Sequence, residues 1–255
     1  MEEKDFLRRY ALLLQYNGKN FHGWQKQPNS ITVQETLEKC FSDVLKKETH
    51  IYGCGRTDTG VHARKYVAHF DAEHMNKEEL ARFLKKMNSY LNTDIRLLGI
   101  KMVANDFNSR FDAISRTYKY YITHHKQPFN NEFSHLVFVP LDIDKMNTAT
   151  KMMYQYEDFT SFSKVHTQVN NNNCKIMYAH WQKKGEYIIF TIKANRFLRN
   201  MVRSLVGTLI DVGKQKISPD DFAEIIQAKD RKKAGTSAPA KALFLEEIEY
   251  EELKF

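Results

Sequence analysis

The stretch from Tyr10 to Tyr16 is apolar at nearly every position and predicts a buried strand. After a loop containing Gly18, Gly23 and Pro28, the residues Val33, Leu37, Cys40, Phe41 and Val44 recur at the spacing of one helix face. Thr32 and Glu35 make the capping-box pattern at its start. A short strand at 50–53, a glycine-rich loop and a strand from Tyr66 to Asp71 come next. Asn76 and Glu79 cap a second helix with Leu80, Phe83, Leu84 and Met87 on its apolar face, and a strand from Ile95 to Val103 closes the half. The second half repeats this order. A strand from Ala113 to Thr123 alternates around Tyr118 and Tyr120, and a helix follows from Leu141 to Tyr154. Strands 176–182 and 187–194 flank a turn at Lys184-Gly185. A strongly apolar helix runs from Phe197 to Val212 and stops at Gly213. Ser218-Pro219 opens a short extra helix, and Ala242 to Tyr250 makes the last strand.

Strand, helix, strand, strand, helix, strand, taken twice, is the ferredoxin-like βαββαβ pattern. The expected fold is α+β, with two tandem ferredoxin-like units, antiparallel sheets and a basic cleft between them. The first unit is expected at 1–105 with the glycine-rich loop, the second at 106–255 with the tyrosine strand and the arginine-bearing helix. A cleft between domains is a common place for a site.

Composition narrows the class of protein. Hydrophobic residues at 42% and charged residues at 27% describe a globular chain. No apolar run approaches the ~18 residues of a membrane span. The opening Met1-Glu2-Glu3-Lys4-Asp5 is charged and lacks the apolar core of a signal peptide. Cys40, Cys54 and Cys174 form neither a disulfide framework nor a CxxC pair. A reducing, cytoplasmic setting without membrane contact is expected. The net charge is +8. It suits a phosphate-rich partner without identifying one. No basic tail carries the excess, so any binding surface must be assembled by folding.

The segment richest in chemistry is Gly53-Cys54-Gly55-Arg56-Thr57-Asp58-Thr59-Gly60-Val61-His62-Ala63. Its glycines allow tight turns and close backbone approach. It is neither a P-loop nor a dinucleotide fingerprint. A single carboxylate, Asp58, in such a loop fits a nucleophile or general base. The plainer reading is that Asp58 caps a turn and pairs with Arg56 on the surface. In the apolar helix, Arg199 and Arg203 stand four apart and share a face, with Arg196 one turn earlier. A guanidinium held near a core needs an anion, either a phosphate or an acid such as Asp58. Otherwise these arginines line a solvated face. Gly207 in mid-helix makes sense if another backbone packs closely there. Arg116-Thr117-Tyr118-Lys119-Tyr120-Tyr121 interleaves cations with aromatics and offers either a stacking platform for bases or ordinary core. The histidines have no partners at a metal-ligand spacing.

The loop residues GRTDTGVHA, 55–63, resemble the active-site motif of the tRNA pseudouridine synthase A family. The resemblance extends through Tyr16-Asn17-Gly18, Phe21-His22-Gly23-Trp24-Gln25, Thr32-Val33-Gln34, Arg116 to Tyr120, Asp158-Phe159 with Phe162, Phe197-Leu198, Met201-Val202-Arg203, Ala234-Gly235 and Ala238-Pro239-Ala240. It implies isomerisation of uridine to pseudouridine at tRNA positions 38 to 40 in the anticodon arm, by a homodimer that uses no metal or organic cofactor. It implies Asp58 as the catalytic aspartate, Tyr118 stacked on the target base, Arg203 paired with Asp58, and Arg56 holding the flipped nucleotide. Arg110, Arg116 and Arg199 are further expected RNA contacts. An aromatic ring can replace the stacking lost when a nucleotide is extruded. A non-catalytic RNA-binding protein and a small-molecule hydrolase are the rival readings, and a synthase acting on another RNA lies within the same chemistry. Departures from the family pattern occur at Tyr66, usually Gln, at Asn92, commonly Pro, at Asn108-Ser109, commonly His-Ala, and at Ala242, usually Gly.

Overall fold

The computed structural model describes residues 7–164 and 171–255. The charged opening Met1-Glu2-Glu3-Lys4-Asp5 lies outside them. The described residues form a mixed α+β structure in two compact units, 1–114 with 245–255 and 115–244. None of their helices is long and apolar enough to cross a membrane.

The first unit contains β1 (Leu7–Tyr16), α1 (Val33–Leu45), β2 (Tyr52–Gly53), β3 (His62–Glu73), α2 (Lys77–Tyr90) and β4 (Ile95–Val103). β1 lies between β3 and β4 and is antiparallel to both, with Leu12 opposite Ala68 on one side and Ile100 on the other. β2 pairs with β3 through Tyr52 and His69. The inward residues form a ring cluster in which Tyr10 stacks on Phe70, and Phe41 meets Phe70 and Phe83 edge to face. Rings of this size bury much apolar area, and edge-to-face pairs add about 0.5–1.5 kcal/mol each. The helix starts were legible. Asn76 and Glu79 complete a reciprocal capping box at α2, whereas at α1 Thr32 Oγ1 accepts from Glu35 N–H at 3.3 Å and the Glu35 side chain does not close the expected box.

The second unit contains β5 (Ser115–Thr123), β6 (His135–Leu136), α3 (Ile143–Met152), β7 (Ile176–Lys184), β8 (Tyr187–Ala194), α4 (Met201–Gly213) and α5 (Pro219–Gln227). β8 is antiparallel to β5 and β7, and β6 adds a short parallel pairing to β5. α3 packs on α4, α5 and β7. β9 (Leu243–Glu249) then carries the chain back to the first unit, where Glu246 and Glu247 pair with Arg64 and Lys65 of β3 at 3.0 and 2.8 Å.

The units divide at 114/115, where the hydropathy pattern places a boundary at 105/106. Residues 106–112 are tied back to the first unit by polar contacts that no local pattern records. Arg9 Nη1 donates to Phe107 O at 2.9 Å, Ser109 N–H donates to His69 Nδ1 at 3.2 Å, and Tyr250 OH donates to Ser109 O at 2.6 Å. The apolar helix is also shorter than its composition predicts. Asn200 has φ +65°, and α4 begins only at Met201. Asn tolerates this left-handed geometry better than most residues do, and Phe197–Asn200 becomes a loop. Arg199 is therefore off the helix and shares no helical face with Arg203.

Candidate active site

The loop from Cys54 to Val61 joins β2 to β3 and is held at both ends. At its start, Cys54 N–H donates to Val67 O at 3.0 Å. The Tyr66 hydroxyl donates to the Gly55 carbonyl, and its ring stacks on Trp24 with centroids 4.0 Å apart. Burial pushes the Tyr66 phenol well above the ordinary tyrosine range, so it stays protonated and able to donate. A Cβ on Gly53 would lie 2.2 Å from the Tyr66 hydroxyl, so this residue must be glycine for the ring to fit.

The middle of the loop is gripped by the segment that follows β1. Trp24 N–H donates to Thr57 O at 3.2 Å, and Tyr16 OH shares a 2.9 Å hydrogen bond with Thr57 Oγ1. Gly60 N–H donates to Phe21 O at 3.3 Å, Gly18 N–H donates to His62 Nδ1 at 3.0 Å, and Val61 N–H closes a turn onto Asp58 O at 3.1 Å. The backbone is thus pinned at Thr57 before Asp58 and at Gly60 and Val61 after it, while Asp58 itself is only half-buried. The gripping segment is anchored in turn to the start of α1. Val33 and Gln34 N–H, two donors without partners inside the helix, bond to Gly23 O and Trp24 O. A carboxylate on so fixed a backbone is preorganised for chemistry at one place.

The glycines of the motif do unequal work. Gly60 has φ +77°, as its turn requires. Gly55 has open space where a Cβ would sit, so close backbone packing is not its reason. Arg56 is exposed, and its Nε donates to Gln25 Oε1 at 3.2 Å rather than to Asp58. Arg110 lies on a separate turn, where Asn108 Oδ1 accepts from Arg110 and Phe111 N–H and the guanidinium lies 5.3 Å from the Phe111 ring centroid. Among the described residues no group of three His, Cys, Asp or Glu side chains is arranged to hold a metal.

In the second unit, Tyr118 on β5 is half-buried, edge-on to Phe197 with centroids 5.2 Å apart. Its same-face neighbour Tyr120 is fully buried and donates to Pro239 O at 3.0 Å. Alternation alone left both tyrosines as possible core or platform; burial separates them. Arg116 Nη1 donates to Asn195 O at 2.7 Å. Arg203, in the first turn of α4, donates through Nε to Ala238 O at 2.8 Å, and Ala238 N–H returns to Arg203 O at 2.9 Å. The Ala238 and Pro239 carbonyls therefore bridge α4 to β5. Gly207 explains itself here, since a Cβ would lie 1.8 Å from Thr236 O. Arg199 is exposed on its loop. Asp158 and Phe159 are structural. The carboxylate accepts from Thr160 and pairs with Lys229 at 2.9 Å, while Phe159 and Phe162 are buried.

Sequence reasoning missed the framing roles of Tyr16, Trp24 and Tyr66, because which rings meet depends on the register between β1 and β3 and on the path of the segment between β1 and α1. The one available signal was the departure at Tyr66 opposite a glycine-bearing strand.

A family model described as tRNA pseudouridine synthase matches residues 156–251. A tRNA pseudouridine synthase A from Bacteroides fragilis is 51% identical over 245 residues, which cover 96% of this chain and 97% of that protein. One from Parabacteroides distasonis is 49% identical over 249 residues, 98% of each chain. The similarity persists at greater distance, at 37% over 248 residues in the namesake from Exiguobacterium sibiricum, with 97% and 99% coverage. The similarity extends over nearly the whole chain, well beyond the matched C-terminal segment, and the chain belongs to the tRNA pseudouridine synthase A family.

Proposed function

We propose that the protein isomerises uridine to pseudouridine in the anticodon arm of tRNA, with Asp58 as the catalytic carboxylate. The observation that carries this reading is the clamped backbone on either side of Asp58, which holds one acid at a constant position in a loop of the family's motif. The reaction breaks the C1′–N1 bond of uridine, turns the base and forms a C1′–C5 bond. A proton leaves C5 and one is gained at N1, so no electrons or groups are exchanged with another reactant. A carboxylate beside C1′ serves as nucleophile or as stabiliser of positive charge developing on the ribose. The base must leave its stack to reach it, and Tyr118 supplies a ring to replace the lost stacking.

In this proposal Arg203 pairs with Asp58, Arg56 holds the extruded nucleotide, and Arg110, Arg116 and Arg199 contact RNA phosphates. Support for Arg203 comes from its fixed backbone and Nε, and for Tyr118 from its partial exposure beside a fully buried Tyr120. The proposed architecture is a pair of ferredoxin-like units around a basic cleft, acting as a cytoplasmic homodimer. The order β4-β1-β3 with β2 beside β3 in the first unit, and β5-β8-β7 in the second, supports the ferredoxin-like form of each unit.

Unmodified tRNA incubated with the protein, then mapped by carbodiimide-dependent reverse-transcription stops, tests the assignment. The expected result is pseudouridine in the anticodon arm with the parental protein and none with Asp58→Ala at an unchanged melting temperature. Full single-turnover activity in Asp58→Ala would overturn the role of Asp58. Tight tRNA binding without any pseudouridine from the parental protein would favour a non-catalytic RNA-binding protein.

A further inference from the structure

Gln34, in the first turn of α1, makes four hydrogen bonds with its amide. Its Oε1 accepts from Lys26 N–H at 3.0 Å and from Gln25 Nε2 at 2.9 Å. Its Nε2 donates to Ile51 O at 3.1 Å and to Glu38 Oε1 at 3.1 Å. A backbone N–H can only donate and a backbone carbonyl can only accept, so Lys26 and Ile51 forbid the turned-over amide. Glu38 strengthens the anchor. It is 9% exposed, and its Oε1 also accepts from Ile51 N–H at 3.2 Å.

The orientation passes outward. Gln34 Oε1 admits only the NH2 end of Gln25, which leaves Gln25 Oε1 facing Arg56 Nε at 3.2 Å. Turning Gln25 over would set donor against donor at one end and acceptor against acceptor at the other. Among the described residues this is the hydrogen bond that the Arg56 guanidinium makes. A guanidinium offers two bidentate edges. With Nε occupied, the Nη1/Nη2 edge remains, and two parallel N–H groups match two oxygens of a phosphodiester.

We propose that Gln25 and Gln34 are positioning residues for Arg56, an oriented amide chain that aims the terminal edge of its guanidinium at a phosphodiester of the bound RNA. This rests on the reading above that Arg56 meets the bound nucleotide. Without the chain, an exposed arginine must lose its rotamer freedom on each binding event, at a cost in affinity.

A double-mutant cycle with Arg56, read as kcat/KM on unmodified tRNA, tests the proposal. Gln25→Ala, at constant melting temperature, and Gln34→Met should each lower kcat/KM about tenfold, and each should add less than about twofold in an Arg56→Met background, as coupled residues do. Additive losses would overturn the positioning role and leave the reading of Arg56 intact. An Arg56→Met enzyme with parental kcat/KM would overturn that reading, and the proposal with it. The Hε–Nε signal of Arg56 in NMR is an independent readout. It should be protected from solvent exchange in the parental protein and lose protection in Gln25→Ala and Gln34→Met; unchanged exchange in both variants would overturn the chain itself. Gln25 lies in a half-exposed loop, so its variant keeps both measurements open if Gln34→Met fails to fold.

Discussion

Gly23→Ala is the sharpest perturbation of the loop that bears Asp58. Gly23 has φ +86°, and an added Cβ would stand 2.5 Å from Thr57 O, 3.3 Å from Asp58 C and 3.4 Å from Thr59 N. The left-handed backbone costs an L-residue about 1–2 kcal/mol. Carbon and carbonyl oxygen normally approach no closer than about 3.3 Å, so the Thr57 carbonyl must retreat by roughly 0.8 Å. That retreat breaks the Trp24 N–H···O Thr57 bond, worth about 1 kcal/mol. The residual overpacking adds about 1 kcal/mol. A loss of about 3–4 kcal/mol follows, which at roughly 2–4 °C per kcal/mol lowers the melting temperature by about 6–16 °C. Because Asp58 follows Thr57 directly, a shift approaching 1 Å in its backbone should slow single-turnover pseudouridine formation about 100-fold. Gly55→Ala is the control, since its Cβ meets nothing within 4 Å and its melting temperature should stay parental. Parental melting and parental rate in Gly23→Ala would refute the claim that backbone contact between these loops positions Asp58.

Three further predictions concern the same framework. Tyr66→Phe keeps the stack on Trp24 but leaves the Gly55 carbonyl without its donor, and urea unfolding should show a loss of about 1–2 kcal/mol; an unchanged midpoint would mean the hydroxyl contributes nothing. Gly207→Ala drives a methyl into Thr236 O and should destabilise by about 3 kcal/mol or more in the same assay, against a gain of about 1 kcal/mol expected from helix propensity alone. His69 is 3% exposed, and burial, with help from the Arg9 cation, lowers its pKa from 6.5 to about 4. The folded state therefore refuses a proton that the unfolded chain takes up. Stability fully present above about pH 6.5 is lost as pH falls toward 4, by up to about 3 kcal/mol. Stability curves of the parental protein and His69→Gln should converge in slope only above pH 6.5; equal slopes down to pH 4.5 would exclude the effect.

Most of the secondary structure was legible because its signals are local. The Asn76–Glu79 capping box, the Ser218-Pro219 helix start, the turn at Gly185 and the apolar faces of α1 and α2 each lie within a few residues. The reach of α4 was misread because composition cannot report the left-handed φ of Asn200, so the expected shared face of Arg199 and Arg203 does not exist. Two glycines in apolar or motif contexts looked alike in the sequence, yet Gly207 faces a backbone carbonyl and Gly55 faces open space.

By itself the sequence determined the family, since the loop from Gly55 to Ala63 is contiguous and its residue types are written in order. Only the tertiary structure decided what holds that loop. Tyr16 and Tyr66 reach it through the β1–β3 register, Gly18, Phe21 and Trp24 reach it from the segment after β1, and the amide chain from Glu38 to Arg56 draws on residues 25, 34, 38 and 51. Hydrogen bonds are directional and short, so partners far apart in sequence acquire a fixed orientation only once folding has set their distances.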